Sequence, residues 1–378
     1  MSTEKENSIF NKVSKAIMVA TDAVANAAND ATHAIGGAAN KTAAFAADTY
    51  NNAITTVTNA LDQNGDGQIN ADDLIILGMK APGVHIRRDV FLRKELSKNH
   101  SKEVVNDAIA RTPALAGIPA DEIDKIADSV IIHERNSVSG ISAALGAPGG
   151  WAMLATVPAD LVQYYGFTLR AVQQLLYLYG FPEIDVDDKE GIQLDSDTIN
   201  QITLCLAVMQ GVAGANNVIK AIANALAKGV EKKLLKAALT KGAIYPFIKS
   251  FMSYFGVRMT KAIFAGAVKK AIPVVGGLVG GGITFFSFAP ACKRLKDSLK
   301  DTFLSNPKGH QITAAESEIT EAIVTGEAII IDEELQNNVP DPEAYQVSAE
   351  DIIIMDANAA NDEEHKDPDS DEPPTDDQ

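Results

Sequence analysis

At 378 residues the chain has room for one large domain or two ordinary ones, so core size does not limit it. Its formal net charge of −17 is unevenly spread: Leu206–Lys308 is strongly basic, and Pro340–Gln378 carries fourteen acids against Lys366. Its two cysteines, Cys205 and Cys292, sit in apolar surroundings without CxxC spacing, which excludes a disulfide scaffold or a zinc site and suits a reducing compartment.

The N-terminus, MSTEKENSIF, lacks the basic start and long apolar run of a signal peptide, so neither cleavage nor Sec export is expected. Over residues 8–35, Phe10, Val13, Ile17, Ala20, Val24, Ala27, Ala31 and Ala34 recur at the 3,4 spacing of one helical stripe. Gly36-Gly37 interrupts it, and a second stripe runs through Ala43, Ala47, Tyr50, Ile54, Val57 and Leu61. This reads as a helical hairpin or one long hinged helix. Alanine keeps its apolar area small. A thin coiled-coil arm and an amphipathic segment lying on a membrane are both open readings.

The second stripe leads into Asp62–Asp73, DQNGDGQINADD. Oxygen-bearing side chains stand at the first, third, fifth, ninth and twelfth places, Gly67 is sixth and Ile69 eighth, which is the EF-hand loop pattern. Ca²⁺ takes about six to eight oxygens, and a loop supplies them only by curling round the ion. Asp62, Asn64 and Asp66 would give side-chain oxygens and Gln68 its backbone carbonyl. Asn70 would give a direct or water-bridged contact, and Asp73 the closing carboxylate. Gly67, lacking a Cβ, permits the sharp turn. Asp72–Lys80 then reads as a short exiting helix closed by Pro82-Gly83.

One departure is Asp73, where an EF-hand usually has Glu. The shorter arm must draw the backbone closer or bind through one oxygen. With Leu74 following, the loop resembles the calcium loop of dockerin modules more than that of calmodulin-type sensors. Dockerins carry two such loops and recognise a partner. The acidic stretch Asp185–Asp197 fails as a second copy because its glycine falls one place too late.

Residues 84–135 read as three short helices. The first, around His85–Leu96, is basic on one side with Arg87, Arg88, Arg93 and Lys94, which reads as a solvated face. No aromatic residues interleave with these bases, so nucleic acid is not expected as a partner. The third opens at Pro119, with Asp121 and Glu122 suiting its positive start and Ile123, Ile126 and Val130 on one face.

From Ser139 to Pro182 a Gly/Ala-rich apolar run reaches Pro158, gives way to Asp160, and feeds a long helix ending in Tyr179-Gly180-Phe181-Pro182. Later, Ala271–Phe303 is a second Gly-rich run followed by a basic amphipathic helix. Over roughly residues 84–305 this arrangement resembles the EcsC family of bacterial proteins, with Gly149, Gly150, Pro158, Asp160, Tyr179 and Gly180 matching as structural markers. The resemblance implies an all-helical, membrane-associated body, and no catalytic motif defines the family.

Ala271–Ala291 has about the ~20 residues a membrane span needs, but Pro273, five glycines between Gly276 and Gly282, and Pro290 make a poor uninterrupted helix. Close-packed helices in a compact bundle are favoured, with insertion in lipid as the other reading. Lys220, Lys228, Lys232, Lys233, Lys236, Lys241, Lys249 and their basic neighbours out to Lys270 suit anionic lipid, and equally suit plain solvation.

After His310 the chain turns acidic and loses its helical period. Glu327–Asp332 and Glu350–Asp356 share an acid-framed Ile-Ile-Ile string, a candidate docking element for a protein partner. From Ala357 the tail is too polar to bury a core.

Enzyme tests return little. The six histidines show no HExxH pairing, Gly140-Ile-Ser142 is not a nucleophile elbow, and the glycines after Val275 lack the Lys-Ser/Thr of a phosphate loop. Asp160 reads as an N-terminal helix carboxylate.

The expectation is an all-α protein in three parts: a helical arm with an EF-hand-like helix-loop-helix over 1–83, a helical bundle body over 84–305, and a largely disordered acidic tail over 306–378. It binds Ca²⁺ through Asp62, Asn64, Asp66, Gln68, Asn70 and Asp73. It acts without catalysis at an anionic membrane surface or on a protein partner met by the acidic tail. Its place is the cytoplasm, peripheral on the inner face of the cell membrane. The alternative is an enzyme of unknown class with its site in the body and a purely structural calcium loop.

Overall fold

From Leu169 to Phe181 the chain offers one charge among apolar, glutamine and tyrosine side chains, so a helix here has no face to give to water. The computed structural model places it accordingly. It describes residues 71–81, 83–146, 153–186, 193–242, 244–249, 251 and 276–326. The chain divides into Met1–Pro340 and Asp341–Gln378, and every described residue belongs to the first.

In chain order the helices are α1 (Ala71–Lys80), α2 (Arg88–Leu96), α3 (Lys102–Ala110), α4 (Ala120–Gly146), α5 (Met153–Leu178), α6 (Ser196–Met209), α7 (Ala215–Ala227), α8 (Lys232–Thr240), α9 (Gly276–Lys300) and α10 (Ala314–Thr325). The fold is all-α, with no strand among the described residues. Helix α5 is the axis: α1, α2, α4, α6 and α9 all pack on it, and Leu169, Val172, Leu175, Leu176 and Tyr177 are sealed inside. Helix α6 is nearly as enclosed, and both cysteines are buried. Burial pushes the Cys205 thiol up to about 12, so it is an inert core group.

The stop at Tyr179-Gly180-Phe181-Pro182 forms as its residues dictate. The Phe181 amide donates to the Leu176 carbonyl, and Gly180 takes φ +90°, open to a residue without a Cβ. The helix begins earlier than expected, at Met153, with Pro158 in its second turn. Of the three helices expected over 84–135, the third continues to Gly146 and is long rather than short. Helix α9 runs unbroken through its glycines and Pro290, against the expectation of interruption. Its most extensive contact is with α4, and packing of that length overrides the poor local propensity.

Past the acidic turn at His310, order continues. Thr313 caps α10 through a reciprocal bond with Glu316, and Ile319, Ala322 and Ile323 are buried as α10 packs on α7. The helical period expected to end there thus persists through 325, because the capping box and three apolar residues suffice for one amphipathic helix. Among the described residues no helix is long and apolar enough to cross a membrane.

Lysines of the basic segment after Leu206 meet acids of the body, some at its surface and some buried. Lys232 pairs with Asp185, Lys236 with Asp195 and Asp197 at 2.6 and 2.5 Å, Lys296 with Asp128 at 2.6 Å, and Lys300 with Asp124. Lys220 is buried against Asp301 and Glu316. These lysines tie helices together, so Lys220 is not part of an outward basic face. Arg88, expected on a solvated face, is buried as well. Its guanidinium donates to the carbonyls of Ile109, Arg111 and Phe181 at 2.6, 3.2 and 3.0 Å, closing the C-terminal end of α3.

Candidate functional site

Of the six loop residues expected to hold calcium, Asp62, Asn64, Asp66, Gln68 and Asn70 lie outside the described residues. Asp73 lies in the first turn of α1, with its side chain fully buried. Helix α1 starts at Ala71, the tenth place of the loop, so the twelfth ligand would enter from a helix already formed. Among the described residues no group of three or more His, Cys, Asp or Glu could hold a metal ion. The donor set in the sequence, all oxygen, fits a hard cation.

Helix α1 is fixed to the body. Ile75, Leu77 and Met79 are buried, and Gly78 brings the α1 backbone close to α5, where an added Cβ would stand 3.6 Å from the Gly166 amide nitrogen. After α1 the chain turns at Gly83, φ +77°, and α5 holds the following stretch. Gln173 donates to the Val84 carbonyl at 2.9 Å and accepts from the Ile86 amide at 2.9 Å, while Arg170 donates to the Gly83 carbonyl. Helix α1 and the turn after it therefore join the loop's last oxygen, on Asp73, to a segment locked onto the central helix.

That segment forms one wall of a groove of about 560 Å³ between α2, α4 and α5. Ile126 and Val130 of α4 and Val90 and Phe91 of α2 supply apolar surface, and Val90 is 54% exposed. At its floor Glu134, with 1% of its side chain exposed, accepts from Arg170 Nε at 3.1–3.2 Å and from Gln174 Nε2 at 2.7 Å. His85 and His133 also line it, and His85 Nε2 is buried with no hydrogen-bond partner among the described residues. Lys94 and Lys98 stand at the rim with Glu95 between them.

Chemically this arrangement is an anchor. Glu134 is committed to a guanidinium and an amide, and among the described residues neither histidine has a carboxylate orienting it toward a nucleophile. None of these groove residues stood out as a site in the sequence. The signal was Glu134 itself: Ile123, Ala127, Ile131, Glu134 and Val138 form one buried stripe, with an acid where the period demands an apolar residue.

No family model, curated protein or solved structure matches the chain. Of the residues behind the EcsC resemblance, Tyr179 donates to Asp124 at 2.8 Å and Gly180 makes the helix stop. Pro158 and Asp160 fall within α5, while Gly149 and Gly150 lie outside the described residues.

Proposed function

We propose that this is a calcium-binding, non-enzymatic helical protein in which the Asp62–Asp73 loop holds the ion and α1 carries its effect into the body. One observation supports the reading most: α1 begins at the tenth loop position with Asp73 buried in its first turn, and it packs on the central helix. Binding would order the loop and fix the angle of the preceding arm against α5. A sensor of this kind works at about 10⁻⁷–10⁻⁵ M. The EcsC resemblance is part of the proposal and points to a membrane-associated body.

Lipid contact is assigned to the outer face of α8 and the turn beyond it. Leu234 and Tyr245 are 36% and 37% exposed there, and Lys233, Lys241 and Lys249 beside them make no ion pair among the described residues. Each well-placed lysine contributes about 1 kcal/mol at an anionic surface. A protein partner reached through the acidic tail is the other binding mode.

Two measurements test this. Calorimetry of the full chain should show calcium binding that Asp62→Ala removes, and absence of heat at about 1 mM calcium would end the ion assignment. Flotation with phosphatidylserine vesicles, with and without calcium, should recover the wild type and lose a Leu234→Glu variant. Equal recovery of both would move the lipid contact elsewhere.

A further inference from the structure

We infer that α8 is an ionically latched helix, held on the body by Asp185, Asp195 and Asp197 and released when an anionic bilayer takes over its lysines. The inference rests on the lipid contact proposed for the outer face of α8, and adds how that contact is regulated.

The helix suits two environments. Leu234, Leu235, Ala238 and Leu239 share one side at the i, i+1, i+4, i+5 spacing, and Lys232, Lys233 and Lys236 share the other. On the body only Ala238 and Leu239 are buried, while Leu235 is half-buried and Leu234 exposed. An apolar side so incompletely used gives α8 little hold by burial alone. At a bilayer the same side would lie among acyl chains, with the lysines at headgroup level.

What the body adds is charge. Lys232 pairs with Asp185, in the segment after α5, and Lys236 pairs with Asp195 and Asp197 at the start of α6. The Lys232 and Asp185 side chains are 74% and 59% exposed, and those of Lys236 and Asp195 are 48% and 47% exposed. Pairs this open to water contribute little and exchange partners readily. Anionic headgroups accept from the same ammonium groups. Asp197 differs. At 11% exposure it is left short of a partner when Lys236 departs, which favours the latched state in the absence of lipid. At the far end Asn200 Nδ2 donates to the Leu239 carbonyl at 3.1 Å, a bond that water replaces on release. The turn before α8 is uncovered, since an added Cβ at Gly229 would meet nothing within 4 Å. Lys233 and Lys241, exposed and without an ion pair among the described residues, give the bilayer its first hold.

The test pairs flotation on phosphatidylserine vesicles with hydrogen exchange of the full chain, in the presence of a chelator so that the calcium loop plays no part. Asp185→Asn/Asp195→Asn/Asp197→Asn removes the latch acids, and asparagine caps a helix as well as aspartate does, so α6 keeps its start. This variant should bind vesicles about tenfold or more tighter than wild type, as two freed lysines imply. Without vesicles its α8 amides should exchange about tenfold faster. Glu103→Gln/Asp107→Asn/Asp121→Asn makes the same charge change on α3 and α4, and should stay within about twofold of wild type in both readouts. Lys232→Gln/Lys236→Gln opens the latch from the other side. Its α8 exchange should rise as in the acid variant, while its vesicle binding stays about tenfold weaker than that variant's. Far-UV circular dichroism checks folding; should the acid variant unfold, the exposed lysine pair carries the exchange test. Unchanged α8 exchange in the latch variants, unchanged vesicle binding in the folded acid variant, or an equal gain in the charge-matched control would overturn the latch. If Leu234→Glu still abolishes flotation in that event, the lipid contact itself stands. If the wild type and the acid variant both fail to float, latch and lipid contact fall together.

Discussion

Replacing Gly180 with alanine tests how tightly the central helix stop is built. At φ +90° an L-residue carries a backbone penalty of about 1–2 kcal/mol. The new Cβ would also stand 3.0 Å from both Cβ and Cγ2 of Thr112 and 3.3 Å from the Leu304 carbonyl oxygen. Thr112 is buried and branched at the clashing atom, so it cannot swing away, and overpacking of this kind costs about 1–3 kcal/mol. Together the two effects reach about 2–5 kcal/mol, a large share of the ~5–15 kcal/mol by which domains are stable. Gly117 separates the terms: it has φ +83° but nothing within 4 Å of an added Cβ, so Gly117→Ala should show the backbone cost alone. Urea unfolding of the full chain, followed by far-UV circular dichroism, should place Gly180→Ala below Gly117→Ala by about 1–3 kcal/mol. Equal loss in the two variants would refute the packing argument.

Glu134→Gln should destabilise the body by about 1–3 kcal/mol, less than for a fully enclosed pair because Arg170 is 29% exposed; unfolding unchanged in urea would mean the pair is incidental. Acid should weaken the helix ties. The Lys220 hydrogen bond holds the Asp301 carboxyl below its ordinary value despite burial. At Asp124 burial acts upward, but hydrogen bonds from Lys300 and Tyr179 outweigh it and leave the group lowered. A lowered folded pKa stabilises fully above the unfolded value of 3.8 and is lost as pH falls through the folded value, so thermal midpoints should drop below pH 3.8. Asp301→Asn should flatten that drop, and an identical acid profile in the variant would remove Asp301 from the account.

What the sequence made legible was local. The helix stop at Tyr179–Pro182 and the exiting helix before Gly83 depend on residues a few positions apart, and both form within a residue or so of expectation. The unbroken α9 was illegible because its glycines and Pro290 argue against a helix at short range. What holds it is a partner, α4, far away in sequence. That Lys220 and Lys296 of the basic segment are buried in ion pairs was illegible for a related reason. Charges were counted along the chain, whereas Asp124, Asp128, Asp185 and Asp195 reach them only once the bundle closes. The groove drew residues from three helices and the segment before α2, and only the acid on the α4 stripe betrayed it.

The pairing of α4 with α9 also sets a schedule for biogenesis. Lys296 and Lys300 lie 168 and 176 positions after their aspartates, so one side of α4 has no permanent neighbour until the ribosome has made most of the protein. At about 5–20 residues per second that wait lasts roughly 10–35 s. For that interval the side of α4 that α9 will cover is exposed on the nascent polypeptide, which makes it a natural target for a chaperone and an early point of failure when translation stalls.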